Sequence, residues 1–257
     1  MSRTVFIGDV HWCAIELEAL IVKVKVKPGE GDRLVFVGDL VDKGPESLRA
    51  LRLVRYLTQE LFPGSVCVSG NHEEKSSRFA KRGQFLEPWC GAATAEDWAF
   101  IDAMPLTWND PALGIRVVHG GICPSLLEKH PDAFEKIDAR GNSWRKGGGK
   151  ALERSRRMLR VRYVGAETGD MLSLGENKEG DPFWADVYDG SQGFVVYGHS
   201  PQLSGEVRFT ENTAGIDTGA VFGGKLTALV VDNDTLGRSV VSVDGGSYAP
   251  VLYGDDE

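Results

Sequence analysis

The first half of the chain alternates short apolar segments with segments of helical spacing. Three apolar segments are short enough to be buried strands, namely 4–7, 33–37 and 65–68. Between them, residues 15–22 carry apolar side chains at helical spacing, and a second helix is predicted to begin near 45–47, where Pro45 suits a first turn. A third helix is predicted after 70–71. Short strands that alternate with amphipathic helices predict βαβ units and a largely parallel sheet.

The second half of the chain has a different pattern. A further strand is predicted at 115–118, a flexible basic loop at 143–149 and a cationic helix at 151–162. From Gly193 onward, turn signals separate several predicted strands, namely 194–197, 206–209, 226–231 and 239–243. No internal repeat or linker interrupts the chain. We therefore predict one domain over residues 1–257, with a core at about 4–244, a tail at 245–257 and two sheets covered by helices.

Composition narrows the class of protein. The 257 residues are 42% hydrophobic, enough for a sizeable core, and the net charge of −8 argues against nonspecific nucleic-acid binding. No apolar run approaches the ~18 residues of a membrane span, and the N-terminus leaves no room for a secretory signal. The four cysteines are widely and irregularly spaced, which predicts free thiols rather than disulfides or a zinc knuckle. We therefore expect a cytoplasmic protein with no membrane association.

Residue types that bind metals follow five of the predicted strands. They lie in the segments Gly8-Asp9-Val10-His11, Gly38-Asp39-Leu40-Val41-Asp42, Gly70-Asn71-His72-Glu73, His119-Gly120-Gly121 and Tyr197-Gly198-His199. Four of the five histidines belong to this set, and only His130 lies outside it. Ligand sites of open α/β sheets lie at the carboxyl ends of the strands, so we expect the five segments to converge on one place.

These residue types suit a pair of divalent cations. Imidazole and carboxylate groups bind divalent transition metals, and a carboxylate can bridge two ions about 3.5–4 Å apart. Taken singly, an Asp after a strand is more often a helix N-cap, and a His there is more often a hydrogen-bonded structural residue. Without a shared site, these structural explanations would have to apply independently to all five segments. The combined pattern therefore predicts a phosphoesterase with two metal ions.

The same blocks resemble a known family. GDVHW, GDLVDKGPES, GNHEE, HGG and YGHSP resemble the signature of the calcineurin-like metallophosphoesterases of the PPP superfamily, over residues 4 to about 230. The segments NTAGIDTGAVFGGKLTAL and LRVRYV, together with Lys43, resemble its ApaH-like, diadenosine tetraphosphatase branch. The resemblance implies a two-sheet α/β/β/α sandwich in a single α/β domain.

The resemblance also implies a role for each site residue. Two divalent ions would be held by Asp9, His11, Asp39, Asn71, His119 and His199, with Asp9 and His11 on the first ion, Asp39 as the bridge and the other three on the second. A metal-bridging hydroxide would attack phosphorus, and His72, oriented by Asp42, would protonate the leaving oxygen. Manganese is the expected metal, while iron, zinc and cobalt remain alternatives.

Further candidates surround this set. Lys43, Arg160 and Arg162 are candidates to hold phosphate oxygens, although the two arginines could equally form a solvated helix face. Asp217 is expected to contact the metal ligands without binding the metal itself. The alternative is that Asp217 is only a turn residue before Gly219.

Two residues depart from the family pattern. Trp12 stands where the family usually has Gly, and its indole could narrow the site, offer a stacking face to a nucleobase or pack against the core. Lys43 stands where most of the superfamily has Arg, and a lysine offers a point charge rather than a bidentate fork.

These observations favour a hydrolase of phosphoanhydrides, acting on a small nucleotide such as diadenosine tetraphosphate. Capped RNA ends and inorganic polyphosphate are related alternatives, and a Ser/Thr or Tyr protein phosphatase on the same core is another. A catalytically inactive binding module would be expected to lose at least one of the site residues, and none is missing. The oligomeric state and base selectivity stay open.

Overall fold

The alternating pattern of the first half produces alternating strands and helices. The computed structural model describes residues 2–44, 46–146 and 149–250. The first elements are β1 (Arg3–Ile7), α1 (Ala14–Val24), β2 (Arg33–Phe36), α2 (Ser47–Tyr56), β3 (Val66–Cys67) and α3 (Asn71–Ala80). β2 pairs in parallel with both β1 and β3, which confirms the predicted βαβ units. The predicted helix start at Pro45 lies outside the described residues, and α2 begins at Ser47.

The second half supplies shorter helices and mostly short strands. These elements are α4 (Pro88–Ala92), α5 (Ala95–Ala103), β4 (Thr107–Asp110), β5 (Ile115–Val118), α6 (Pro124–Lys129), α7 (Ala133–Arg140), α8 (Gly149–Met158), β6 (Phe194–Tyr197), β7 (Arg208–Phe209), β8 (Thr213–Gly215), β9 (Asp217–Thr218), β10 (Lys225–Asp232) and β11 (Arg238–Asp244). The strands predicted in this half are confirmed, with shifts of one or two residues at their ends. β4, β8 and β9 were not predicted, because they are short and two of them are largely polar.

The strands form two mixed sheets. The first has the order β11-β10-β1-β2-β3, with β9 also paired to β10, and the second has the order β4-β5-β6-β8-β7. Pairing is parallel for β1, β2 and β3 and for β5, β6 and β8. The remaining pairs are antiparallel. Each sheet therefore combines a parallel set of three strands with antiparallel strands beside it.

Three apolar layers hold the sheets and helices together. Phe6, Val117 and Leu229 belong to a cluster between the two sheets, to which both contribute. A second cluster lies between the first sheet and helices α1 and α2. A third covers the outer face of the second sheet and includes Trp144 and Trp184. The order helix, sheet, sheet, helix confirms the predicted α/β/β/α sandwich, in which burial of apolar surface is the main stabilising term.

The predicted flexible loop at 143–149 is wrong for the residues that the structure describes. A 3₁₀ helix at Gly141–Lys146 buries Trp144, which is 1% exposed and whose Nε1 donates to the Met104 carbonyl at 3.0 Å. Arg145 Nη1 donates to the same carbonyl at 2.9 Å. Residues 147 and 148 lie outside the described residues. The indole anchors this basic segment because its apolar surface and its N–H are both satisfied in the core.

The helix observed in place of the predicted helix at 151–162 starts two residues earlier and ends four residues earlier. α8 spans Gly149–Met158, so Arg160 and Arg162 lie in the chain that follows it. They are therefore not part of a solvated helix face, as one alternative had it.

The prediction of one domain with a tail from residue 245 stays a prediction. The structure places residues up to 250 and shows Tyr248 and Ala249 donating their backbone N–H groups to the Val221 carbonyl at 3.0 and 3.1 Å. Residues 251–257 lie outside the described residues. Among those described, no helix is long and apolar enough to cross a membrane.

We expect Trp144→Ala to lower the free energy of unfolding by about 3–5 kcal/mol, because it leaves a cavity and removes one of the two hydrogen bonds to the Met104 carbonyl. Trp144→Phe, which keeps most of the apolar volume, should lose less. Urea unfolding of both variants measures the difference. A loss under about 1 kcal/mol for the alanine variant would show that this segment is not anchored in the core.

Candidate active site

The loops after five strands bring the predicted site residues together. Asp9 and His11 follow β1, Asp39 and Asp42 follow β2, and Asn71 and His72 begin α3 after β3. His119 follows β5 and His199 follows β6. All eight side chains are buried. The convergence has the predicted physical cause, since the parallel central strands of both sheets end at the same edge of the sandwich.

The backbone of these loops is strained. Among the described residues, seven that are not glycine have a positive φ, and five of them are His11, Asp39, Asp42, Lys43 and His199, with φ between 47° and 68°. Such residues cost about 1–3 kcal/mol each and persist where surrounding structure fixes them, most often at functional sites. The strain therefore singles out the same residues as the sequence pattern does.

Two groups of potential metal ligands share one carboxylate. His11, Asp39 and His72 form one group, and Asp39, His119 and His199 form the other. Within each group the ligand atoms lie within 4.8 Å of one another. Asp39 Oδ2 lies 3.3 Å from His119 Nε2 and 4.0 Å from His72 Nε2. A carboxylate common to two adjacent groups is the arrangement that a two-metal site needs.

Backbone carbonyls orient two of the imidazoles. His11 Nδ1 donates to the Val41 carbonyl at 2.9 Å, and His119 Nδ1 donates to the Val37 carbonyl at 2.8 Å. Each ring therefore presents its Nε2 lone pair to the site, as a histidine ligand does. Burial and the nearby Lys43 together lower the pKa of His11 to about 3, so this imidazole is neutral near pH 7. A neutral imidazole is the form that binds a metal.

Asp9 and Asn71 have the donor atoms that a cation would need. Asp9 Oδ2 accepts the His199 backbone N–H at 3.0 Å, while its Oδ1 is buried and has no hydrogen-bond partner among the described residues. Asn71 Oδ1 lies 2.9 Å from His119 Nε2, so two potential ligand atoms face the same point. A buried carboxylate oxygen with no donor is costly unless a cation neutralises it. The residues present thus fit a pair of divalent ions.

Three buried acids lie close together in this site. Burial raises the pKa of Asp9 well above its ordinary value, and the carboxylates of Asp217 and Asp39 raise it further. Burial likewise raises the pKa of Asp217 to about 6. Burial also opposes ionisation of Asp39, but the imidazoles of His119 and His72 outweigh it and hold the pKa of Asp39 well below its ordinary value. Cations among these groups would remove the repulsion between the carboxylates.

Glu73 holds the loops of the candidate metal ligands in place, although the sequence pattern predicted no separate role for it. It is fully buried at the third position of α3, and Oε2 accepts the backbone N–H groups of Asp39 at 3.0 Å and Gly70 at 2.9 Å. Its Oε1 accepts those of Leu40 at 2.7 Å and Val41 at 3.3 Å. A Glu three residues after a helix N-cap is a capping signal, and that signal could have identified it.

His72 and Asp42 form a hydrogen-bonded pair. His72 Nδ1 donates to Asp42 Oδ2 at 2.7 Å, and Trp89 Nε1 donates to Asp42 Oδ1 at 2.6 Å. Both carboxylate oxygens are thus occupied, and the His72 ring is held with Nε2 toward Asp39. Trp89 could not be predicted as a partner of Asp42, because it comes 47 residues later in the chain. An imidazole fixed by a carboxylate in this way is suited to proton transfer.

The three cationic candidates lie at the rim in different environments. Arg162 Nη2 donates to the His199 carbonyl at 3.2 Å, and Arg160 Nη2 donates to Glu74 Oε2 at 3.1 Å. Both arginines line a small cavity next to His199. The Lys43 ammonium lies 4.9 Å from the centre of the Phe222 ring and lines a larger cavity of about 690 Å³ beside His72.

Comparison with known proteins identifies the family. Residues 2–224 match the profile of the calcineurin-like phosphoesterases. This chain belongs to the calcineurin-like phosphoesterase family. It is therefore a metal-dependent phosphoesterase, and its family uses divalent metal ions.

Several relatives of this phosphoesterase have named activities. It is 29% identical to the asymmetrical bis(5'-nucleosyl)-tetraphosphatase of Oceanobacillus iheyensis, with 86% of each chain covered. It is 32% identical to the symmetrical bis(5'-nucleosyl)-tetraphosphatase of Xanthomonas oryzae, covering 93% of this chain and 83% of the relative. A solved structure of a proposed diadenosine tetraphosphatase superposes with a TM-score of 0.69 at 27% identity, covering 95% and 94% of the two chains.

A yeast Ser/Thr phosphatase shares the fold at lower similarity. It superposes with a TM-score of 0.62 at 15% identity over 99% of this chain and 82% of its own. At this level of identity the likeness extends to the fold alone.

Trp12, the departure from the family pattern, packs away from the metal ligands. Its indole lies against Gly44, where a Cβ would come within 2.1 Å of the ring. It also contacts Tyr248 edge-on, with ring centroids 4.1 Å apart. Of the alternatives for Trp12, the structure shows packing against the core next to α1. The cavity beside His72 is instead lined by Tyr248.

We expect Glu73→Gln to weaken binding of divalent metal by about 10–100-fold, because an amide cannot accept all four backbone N–H groups and Asp39 loses its support. Isothermal titration of the metal-stripped phosphoesterase with Mn²⁺ measures the affinity. Glu60→Gln, a change of the same kind on the surface, is the control. Equal affinities in the two variants would show that Glu73 does not position the ligands.

We expect Asp217→Asn to stabilise the metal-stripped protein in a pH-dependent manner. Asp217 has a pKa of about 6 in the folded protein against an ordinary 3.8, so its ionisation costs about 3 kcal/mol of folding free energy above pH 6. That cost declines as the pH falls through 6 and disappears below 3.8. Urea unfolding in a chelator should therefore show a gain of about 3 kcal/mol at pH 8 and about half of that at pH 5.

Asp234→Asn, on an exposed turn, is the matched control for this measurement. A gain that is the same at pH 5 and pH 8 would contradict the role of ionisation. Saturating Mn²⁺ should abolish the gain, because the cation stabilises the carboxylates that repel one another without it.

Proposed function

We propose that this chain hydrolyses a phosphoanhydride bond of dinucleoside polyphosphates such as diadenosine tetraphosphate. The observation that carries the proposal is the His72–Asp42 pair, which lines a cavity of about 690 Å³ and whose imidazole lies next to the Asp39 carboxylate that the two ligand groups share. A cavity of this size is in the range of small-molecule sites. Relatives that are named tetraphosphatases and align over 86–93% of this chain support the substrate class.

The site residues divide the work of hydrolysis between them. Asp9, His11, Asp39, Asn71, His119 and His199 would hold the two cations, with Asp39 between them. The bound cations would neutralise phosphoryl oxygens and lower the pKa of a water molecule. His72 would donate the proton on Nε2 to the leaving oxygen, while Asp42 stabilises the imidazolium and fixes the ring. Lys43 would hold a phosphate oxygen on the cavity side, and Arg160 and Arg162 would do so on the His199 side.

The finer assignments rest on donor chemistry and thiol state. We propose manganese as the metal, because a set of carboxylate, amide and imidazole donors suits it, and iron, zinc and cobalt are alternatives. We propose the cytoplasm as the compartment, which is supported by four cysteines that are all buried free thiols. The substrate would be a small nucleotide that enters from solvent through the cavity.

The position of cleavage is the property that divides the relatives. A symmetrical cut of diadenosine tetraphosphate gives two molecules of ADP, whereas an asymmetrical cut gives AMP and ATP. This chain is similar to relatives of both kinds, at 29–32% identity. Lys43 in place of Arg gives one cationic point on the cavity side, which favours a chain of phosphates over the bidentate grip of a monoester.

We expect Mn²⁺-dependent hydrolysis of diadenosine tetraphosphate by the metal-stripped and reloaded protein, and a loss of about 10²–10⁴-fold in kcat for His72→Asn. Chromatographic separation of AMP, ADP and ATP gives both the rate and the position of cleavage. His130→Asn is the matched control, because His130 is the one histidine outside the site segments, and this variant should keep full activity.

Two other outcomes would redirect the assignment. Hydrolysis of a phosphopeptide without turnover of diadenosine tetraphosphate would replace the proposed substrate by a phosphoprotein, and preference for polyphosphate or capped RNA would keep the anhydride chemistry only. Binding without hydrolysis under any of the four metals would show a binding module that retains the fold.

A further inference from the structure

The cavity beside His72 has aromatic walls and two lysines. His72 and Asp42 lie at its inner end, with Lys43 and Lys75 among the lining residues. Its apolar walls are made by Trp89, Phe222, Tyr248, Leu86 and Pro88. With His72 as the proton donor of the proposed function, the leaving group would extend into this cavity, which His72 lines.

Tyr248 forms one wall because three contacts hold it there. Its hydroxyl donates to Glu16 Oε1 of α1 at 2.6 Å. Its backbone N–H donates to the Val221 carbonyl at 3.0 Å, and its ring packs edge-on against Trp12. The ring nevertheless remains 44% exposed. A ring that is held by these contacts and still partly exposed is suited to stacking with a planar ligand.

Trp12 supports Tyr248 at the place where a glycine would leave a gap. The indole fills the space between Gly44 and the Tyr248 ring, and it does not itself line the cavity. Removing the indole would leave Tyr248 with its hydroxyl bond and its backbone bond but no packing partner on that edge. Trp12, which departs from the family pattern, and Tyr248, near the end of the described chain, therefore pack as one structural unit.

We propose that this cavity binds the nucleoside of the leaving nucleotide by stacking of its base on Tyr248, and that Trp12 is a positioning residue that acts through Tyr248. The proposal rests on the proposed function, and it adds the part of the substrate that the metal ligands do not recognise. Lys43 and Lys75 would contact the phosphates that join this nucleoside to the phosphorus under attack. Inorganic polyphosphate has no planar apolar group, so binding it would not require aromatic walls.

The test compares a substrate that has bases with one that has none. Steady-state kinetics with Mn²⁺ are measured on diadenosine tetraphosphate and on tripolyphosphate for Tyr248→Ala and Trp12→Ala. We expect KM for diadenosine tetraphosphate to rise about tenfold in both variants with kcat nearly unchanged, and KM for tripolyphosphate to stay the same, since base–aromatic stacking is lost. Trp12→Phe, which keeps a ring against Tyr248, should restore most of the affinity.

Tyr56→Ala is the matched control, because Tyr56 is a tyrosine of similar exposure, 46%, on α2. It should leave both KM values unchanged. An equal rise in KM for both substrates in Tyr248→Ala would overturn the proposal and show that the residue only shapes the catalytic loops. The same holds if Trp12→Phe is no better than Trp12→Ala.

Failure of the proposed function can be told apart from failure of this inference. Hydrolysis of bis(p-nitrophenyl) phosphate reports the metal centre whatever the natural substrate is. If the cavity binds a nucleoside, adenosine should inhibit this reaction in the unaltered protein and about tenfold more weakly in Tyr248→Ala. Absence of inhibition by adenosine in the unaltered protein would overturn the inference even if diadenosine tetraphosphate were hydrolysed.

Discussion

The carboxylate of Glu73 is the contact on which the geometry of the site depends. Four backbone N–H groups, from the loop after β2 and from Gly70, converge on its two oxygens. Burial of that carboxylate raises the pKa of Glu73, and the bonds from the Leu40 backbone oppose the rise. The bonds hold Asp39 in the left-handed region with a φ of 51°. Together with the His72 backbone N–H, which donates to Asp39 Oδ1 at 3.1 Å, they keep the shared carboxylate at the junction of the two ligand groups.

The same junction explains why so many acids are tolerated in the interior. Asp9, Asp39 and Asp217 are each at most 6% exposed, and isolated carboxylates at that depth would be strongly destabilising. Hydrogen bonds offset part of the cost: His199 and Gly219 donate to Asp9 and Asp217 from the backbone. The rest is offset by imidazoles and, when they are bound, by cations. Folding and metal binding are therefore linked, and the apo protein carries the repulsion as a loss of stability.

The position of the candidate site residues could be predicted from the sequence because it follows from one rule. Parallel strands end at one edge, so residues after them meet there, and each of the eight predicted residues after a strand does lie at this edge. Two sheets covered by helices could be predicted from the order of strands and helices, and the family resemblance specified the α/β/β/α sandwich. Contacts between distant segments could not be predicted. Trp89 reaches Asp42 across 47 residues, and Trp144 is buried in a stretch that is otherwise basic.

Chemistry and specificity are built from different parts of this fold. The candidate metal ligands and His72 follow strand ends, where the backbone is fixed by sheet pairing and by Glu73. The cavity walls come from segments far apart in the chain: Trp89 from α4, Phe222 from the turn before β10 and Tyr248 from the segment after β11. None of those wall residues is needed to hold a cation. A change of substrate within this family therefore requires new loops and leaves the metal ligands as they are. Trp12 fits this division, because it lies one residue after a candidate ligand and yet acts on the wall.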